Sequence, residues 1–409
     1  MKITTLTPIH IGNSETLTPL SYVISGNLLY VINMDIFFSK LSKTQRESYV
    51  EWMDPILAKI SELDRKADQS KGNKELSKKL KDQKREEEKK LSLKWFIENR
   101  LRENPFEFAK RCLDYQIAFV IPPGREGFRL HIKDAGRGVY IPGTEIKGAM
   151  RTSLLYTLLQ DGTNYEILKK ALNKLRLAFK KTLPSQNKAK ELSHVADAQS
   201  ESGIERVFLR GKERDAKYDL LKFLQISDTN SVNIAQLSIS PIKVLGSSKN
   251  IPPIWVETIN PQTMFSFDLK IQKEAFLTPL GLGKWVDGLS QEKIFESCYN
   301  RSKEMLEEER KYFVNEKIIS ALIKRIEKEN QPSSPLLRLG SGQGFLGTTV
   351  DLKVKQKDPE LYEEVIRKGV SMLRRWRTQP GNFPKTRRVI LDKNKSPESL
   401  LGWIKLLED

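Results

Sequence analysis

Cysteine and histidine are scarce in this 409-residue chain, and it contains no long apolar run. The two cysteines, Cys112 and Cys298, are far apart and no CxxC pair occurs, which argues against the common zinc sites. The three histidines, His10, His131 and His194, form no HxH or HxxxH pair. We therefore expect two reduced thiols in the core, no metal centre and no cofactor.

The first residues also lack the features of an export signal. Residues 1–5 contain polar side chains, and Pro8 follows soon after, so no apolar targeting segment can form there. The sequence therefore predicts a cytoplasmic protein that does not associate with membranes.

Basic residues exceed acidic ones by a wide margin. The chain has 70 Lys and Arg against 52 Asp and Glu, for a formal net charge of +18. A protein this basic is usually paired with a polyanion, and nucleic acid is the favoured one. The charge also argues against a scaffold that never contacts RNA.

Strand-like and helix-like patterns are mixed along the chain in the manner of an α+β protein. Residues 1–33 and 116–141 alternate like strands, and Gly26 and Asn27 suit a hairpin turn. Residues 35–110 read as helical, and within them residues 62–90 carry too little apolar surface for a packed face. A similar pattern restarts near residue 205, which predicts two domains.

A strand-to-helix corner at residues 140–151 is the first candidate site. Thr144 is the expected N-cap of the helix. Lys147 and Arg151 are four residues apart, so they share a helix face and could hold two adjacent phosphates near a helix N-terminus. An ordinary corner with exposed cations is the alternative.

A glycine-rich segment at residues 339–349 is the second candidate. It contains GxGxxG at residues 342–347, but no GxxxxGK[ST] and no βαβ unit, so close contact with an RNA backbone fits better than a nucleotide. In an extended loop, alternating glycines would leave one side as bare backbone. Glycines that hold positive φ angles and touch nothing are the alternative. The candidate RNA contacts are Gly340, Ser341, Gly342, Gln343 and Gly344.

A basic cluster with a tryptophan is the third candidate. It consists of Arg374, Arg375, Trp376 and Arg377. A tryptophan among arginines can stack on an unpaired base while the cations hold phosphate, although Trp376 could instead pack inward.

Three short motifs resemble those of the RAMP superfamily, the repeat-associated proteins of CRISPR systems. These are TPIHIG at residues 7–12, IPGTEIKG at residues 141–148 and GSGQGF at residues 340–345. The resemblance implies tandem ferredoxin-like (RRM-like) domains. The N-terminal domain would span residues 1–204 with a charged helical insertion at about 35–110, and the C-terminal domain residues 205–409 with the glycine-rich loop.

The order of the motifs is most similar to the fifth-subunit family of the Csm complex, the type III-A effector. This implies an antiviral ribonucleoprotein subunit that binds crRNA at its 3′ end, docks on the repeated backbone RAMP subunit and assists crRNA maturation, with no active site of its own. His10 is then a candidate RNA contact. A metal-independent endoribonuclease and a terminal subunit of the type III-B complex are the alternatives. Whether cellular nucleases also bind is left open.

Overall fold

The computed structural model describes residues 1–70, 73–181, 220–247, 251–272, 289–367 and 383–408. Its helices are α1 (Met34–Lys40), α2 (Lys43–Gln69), α3 (Lys74–Lys90), α4 (Leu93–Phe96), α5 (Pro105–Arg111), α6 (Gly143–Leu158), α7 (Gly162–Lys181), α8 (Gln291–Tyr312), α9 (Lys317–Glu329), α10 (Gly344–Thr348), α11 (Asp351–Lys357) and α12 (Pro359–Leu361). One π-helical turn extends α4 over Ile97–Leu101, and another extends α12 over Tyr362–Arg367.

Fifteen strands accompany these helices in the described residues. They are β1 (Lys2–Thr5), β2 (Gly12–Leu17), β3 (Tyr22–Ser25), β4 (Leu28–Ile32), β5 (Leu113–Phe119), β6 (Phe128–His131), β7 (Leu224–Ile226), β8 (Leu237–Leu245), β9 (Ile254–Ile259), β10 (Met264–Ser266), β11 (Leu269–Ile271), β12 (Leu336–Arg338), β13 (Arg387–Leu391), β14 (Pro397–Ser399) and β15 (Trp403–Leu407). The mixture confirms the predicted α+β class.

The strands form two main sheets. The larger follows the order β2-β6-β9-β8-β5-β4-β3, and β13 with its partner β14 joins it along the second half of β8. The smaller follows the order β10-β1-β15-β12. The predicted hairpin is confirmed, since Ser25 pairs with Leu28 and Gly26 has φ +60° in the turn.

Both sheets combine strands from the two halves of the sequence. In the larger sheet β5 pairs with β8 and β6 pairs with β9, both in parallel. In the smaller sheet β1 lies between β10 and β15. The predicted domain boundary at residues 204 and 205 lies outside the described residues and stays a prediction.

Helices α1–α5 are inserted between two neighbouring strands, because β4 and β5 pair with each other on either side of them. Aromatic side chains, including Phe37, Tyr49, Trp52 and Phe96, pack into a separate core at the base of the insertion. Beyond it, α2 and α3 pair through a small cluster of Leu63, Ala67 and Leu80. Among the described residues, none of the helices is long and apolar enough to cross a membrane.

Candidate nucleic-acid interface

The strand-to-helix corner at residues 140–151 is fixed by contacts with other parts of the same chain. Helix α6 begins at Gly143 after Pro142, so the expected N-cap at Thr144 is wrong by two residues. The Gly143 N–H donates to Oδ1 of Asp228 at 2.8 Å, a partner 85 residues away that the local pattern could not reveal. A Cβ at Gly143 would lie 2.5 Å from the carbonyl oxygens of Ile226 and Ser227. The glycine is therefore required by close packing, and its N–H is not available to a phosphate.

The glycine-rich segment is not the extended loop in which alternating glycines would leave one side as bare backbone. It forms a 3₁₀ turn over Gly340–Gly342 followed by α10. Gly340 has φ +66°, and a Cβ there would lie 2.3 Å from the His10 carbonyl oxygen. A Cβ at Gly342 would lie 2.4 Å from Cβ of Leu401. Both glycines therefore allow close approach of the chain to itself, whereas Gly344, with φ +68°, faces open space.

The three RAMP-like motifs meet at this turn. The Ser341 N–H donates to the His10 carbonyl oxygen at 2.9 Å. The Gly340 N–H lies 3.3 Å from Oε2 of Glu145, which is in the first turn of α6. Nη1 of Arg388, on β13, donates to the carbonyl and hydroxyl oxygens of Ser341 at 2.8 and 2.9 Å. Sequence segments hundreds of residues apart thus build one surface, which we call the loop face.

The loop face is defined by the Gly340–Gly344 turn with its neighbours His10, Glu145 and Arg388. The amide of Gln343 lies within the turn, and its nitrogen can donate to the carbonyl oxygens of Arg338 and Gly347 at 3.3 and 3.0 Å. The Gln343 side chain therefore stabilises the turn through hydrogen bonds to its backbone.

The His10 ring is buried beneath the loop face, with only 5% of the residue exposed. Its Nδ1 lies 2.7 Å from the Glu257 carbonyl oxygen. The pKa of His10 is lowered to about 4, chiefly by burial and in part by the exposed cations of Arg129 and Arg388. The neutral ring supports the strand, and its predicted contact with RNA stays a prediction.

A buried polar network lies next to His10. Glu257 is fully buried, and its carboxylate accepts hydrogen bonds from the Tyr115 hydroxyl, the His131 N–H and the Lys133 ammonium. His131 Nδ1 accepts from the Ile11 N–H at 3.1 Å, and burial lowers the pKa of His131 to about 3. His131 thus holds the backbone of the first RAMP-like motif at Ile11. Sequence reasoning missed Glu257, because its partners come from distant strands.

The remaining predicted cations differ in their surroundings. Lys147 and Arg151 are both half-buried on α6. Arg374, Arg375, Trp376 and Arg377 lie outside the described residues. The exposed Arg129 was missed, although the alternation of Phe128, Arg129 and Leu130 on β6 could have indicated an outward cation.

On α7, where lysines and arginines are dense, intramolecular ion pairs take up part of the charge. Lys169 pairs with Asp358 at 3.1 Å, and Arg176 pairs with Glu360 at 2.9 Å and with Glu364. These two cations are therefore less available to RNA than composition suggested.

An open groove of about 750 Å³ lies between the two sheets and α9, away from the predicted residues. Its walls include Ser238, Thr258, Arg325 and Lys405. None of the sequence-predicted contacts lines it within the described chain. The loop face is therefore the better candidate for the functional site.

Comparison with known proteins identifies the class. The model of the RAMP superfamily matches residues 2–407, so the chain belongs to that superfamily, as its motifs predicted. A protein of Methanocaldococcus jannaschii named CRISPR system Cms protein Csm5 is 25% identical to this chain over 426 residues. The match covers 99% of this chain and 88% of that protein.

Two solved structures share the fold. One is a chain of the cryo-EM structure of a Csm–crRNA–target RNA ternary complex of a type III-A CRISPR–Cas system, with TM-score 0.66 and 20% identity. The structural match covers 100% of the chain described here and 99% of the chain in that complex. The other is the crystal structure of T. onnurineus Csm5, with TM-score 0.57 and 18% identity. That match covers 99% of the chain described here and 100% of the T. onnurineus chain.

Proposed function

We propose that this chain is the Csm5-type subunit of a type III-A CRISPR effector complex and that it binds crRNA through the loop face. The convergence of three sequence motifs on Ser341 carries the proposal, through its bonds to His10 and Arg388 and the nearby Glu145. The net charge of +18 and the relatives named Csm5 support it. Tandem ferredoxin-like domains, a position at the crRNA 3′ end and a cytoplasmic location belong to the same proposal.

The partners follow from the same proposal. The subunit would contact the crRNA and other Csm subunits, including the repeated backbone RAMP subunit, and would assist crRNA maturation. Fold similarity to a chain of a Csm–crRNA–target RNA complex supports this choice over a type III-B complex.

Arg129→Glu tests the RNA interface. Arg129 is exposed on β6 and contributes to the positive potential at His10, so reversing its charge should weaken single-stranded RNA binding roughly tenfold. Lys324→Glu on α9 is the matched control, because it makes the same charge change on an exposed helix. Fluorescence anisotropy with a labelled oligonucleotide gives both affinities. Equal losses in the two variants would contradict an interface at the loop face.

A second measurement addresses the position on crRNA. In a reconstituted complex, Arg129→Glu should alter the length distribution of the co-purified crRNA at its 3′ end and leave the 5′ end unchanged. Sequencing both ends of the bound RNA reads this out. Unchanged 3′ ends in a complex that contains the variant would count against the assigned end.

We further propose that the subunit has no nuclease activity of its own. The two histidines near the loop face, His10 and His131, are buried, their pKa values are lowered, and both engage the backbone. General base catalysis needs an imidazole that can reach a ribose hydroxyl. Labelled repeat RNA should therefore stay intact with and without divalent metal. Cleavage that disappears in His10→Ala would instead establish the endoribonuclease alternative.

A further inference from the structure

Three arginines with very little solvent exposure lie beneath the glycine-rich loop, and two of them share one buried carboxylate. Arg338 and Arg387 both donate to Oε1 of Glu309, at 3.3 and 2.8 Å. Arg301 is only 4% exposed and donates to the carbonyl oxygen of Gly347 at 2.5 Å. Across the part of the chain that the structure describes, no carboxylate lies within ion-pair distance of Arg301.

The cluster is directly attached to the loop. Arg338 ends β12, two residues before Gly340. Glu309 and Arg387 line the same small cavity as Gln343 and Gly344. The charges of this cluster therefore lie under the residues that form the loop face.

Two acids that neighbour the cluster, Glu304 and Glu308, do not cancel its excess of positive charge. The carboxylate of Glu304 pairs with Lys353 at 2.9 Å, and that of Glu308 pairs with Lys355 at 2.5 Å, so each adds no net charge. Burial lowers the pKa of Arg301 to about 10, which still leaves its guanidinium protonated at neutral pH. Three guanidinium charges thus stand against the one carboxylate of Glu309.

Buried charges act at longer range than exposed ones, because little water or salt lies between them and their targets. The loop is next to this excess of positive charge, because Gly344 lines the same cavity as Glu309 and Arg387 and is itself exposed to solvent. We infer that the buried arginines, without contacting RNA, set the strength with which the loop face attracts a phosphate, and that Glu309 moderates this attraction. The inference rests on the proposed function.

Two neutralising substitutions should act in opposite directions. Glu309→Gln keeps an oxygen for Arg338 and Arg387, and its amide nitrogen replaces Oε2, which accepts no hydrogen bond within the described residues. It removes only the negative charge, so affinity for a labelled poly-uridylate oligonucleotide should rise about threefold to tenfold at low salt. Arg301→Gln removes a positive charge and should lower the affinity by a similar factor.

Two controls separate charge from packing. Arg301→Lys alters the side chain but keeps its charge, so its affinity should stay near that of the wild type. Glu47→Gln removes a negative charge from the exposed surface of α2 and should leave the affinity unchanged, since a distant exposed charge is screened. All affinities are expressed per folded molecule, from a titrated active fraction.

The outcomes are distinct. If the cluster only holds the loop in shape, both Glu309→Gln and Arg301→Gln should distort the loop in the folded protein, so a joint loss of affinity per folded molecule would overturn the inference. Equal losses in Arg301→Gln and Arg301→Lys would also overturn it, as would unchanged affinity in Glu309→Gln. Failure of the wild-type protein to bind the oligonucleotide would contradict the proposed function instead.

Discussion

Gly342 packs closely against Leu401, a residue from a distant part of the chain. An added Cβ would lie 2.4 Å from Cβ of Leu401 and 2.9 Å from its carbonyl oxygen. Neither atom belongs to a flexible side-chain end, so the strain must move the backbone. Alternation of glycines in the sequence suggested contact with RNA, but contact with residue 401 cannot be read from a local pattern.

We therefore predict that Gly342→Ala lowers the free energy of unfolding by about 1–3 kcal/mol, the usual range for overpacking. RNA affinity per folded molecule should change little. Thermal melts and anisotropy on one preparation give both quantities. Gly148→Ala is the control, since Gly148 lies within α6 with no atom within 4 Å of an added Cβ, and alanine should slightly stabilise the helix. A fully stable Gly342→Ala protein with weakened RNA binding would restore direct contact at this glycine.

His10 and His131 predict how stability depends on pH. Burial lowers the pKa of His10 to about 4 and that of His131 to about 3, both below the ordinary value of 6.5. The unfolded chain therefore binds more protons below pH 6.5. The stability that comes from keeping these rings neutral is complete above pH 6.5 and is lost as pH falls toward 4. Each histidine contributes about 1.4 kcal/mol per pH unit within that range.

Denaturant unfolding at a series of pH values between 6.5 and 5 measures this slope. His10→Gln removes one titrating group, so the slope should fall by about half, whatever the variant does to stability at pH 7. An unchanged slope in the variant would show that His10 is protonated equally in the folded and unfolded states.

At the scale of secondary structure, local patterns predicted the elements but not how their ends are fixed. The hairpin of β3 and β4 was predictable because its turn chemistry is local. The helix over Gly162–Lys181 was also predictable, since Leu168, Leu172 and Leu175 share the face that is buried. The start of α6 was misplaced because Asp228 holds it from 85 residues away. The candidate site is built from such long-range bonds, which no single-sequence pattern encodes.

The charged tip of the insertion should be dispensable. Leu63, Ala67 and Leu80 form their own small cluster, separate from the aromatic core at the base. Replacing residues 62–90 by a short Gly-Ser linker removes this cluster as a unit, so the melting temperature should change little. Trp52→Ala is the contrast, because it leaves a cavity in the aromatic core at the base and should lower the free energy of unfolding by about 3–5 kcal/mol. A large loss of stability on deletion would show that the tip packs against something more than itself.

At the scale of the whole molecule, net charge predicts the salt dependence of RNA binding. Each phosphate neutralised on a single strand contributes about −0.7 to the slope of log affinity against log salt. With several contacts, affinity should fall well over tenfold across a modest rise in salt. Anisotropy titrations at several salt concentrations give the slope. A flat response would exclude an interface based on phosphate contacts. The slope should be smaller than the net charge alone suggests, because ion pairs such as Arg176 with Glu360 already engage part of the basic side chains.

The smaller sheet joins strands that lie about 400 residues apart in the sequence, β1 and β15. Lys2 on β1 pairs with Leu407 on β15, and β1 lies at the interior of the sheet. During synthesis β1 leaves the ribosome long before β15 has been made, so this sheet can close only after β15 has emerged. Until then the edge of β1 that pairs with β15 is exposed, and an unpaired strand edge can pair with other chains, so we expect the nascent chain to depend on chaperones. Since β1 and β15 are neighbours in space, a circularly permuted gene that links them directly and begins elsewhere would retain the same sheet.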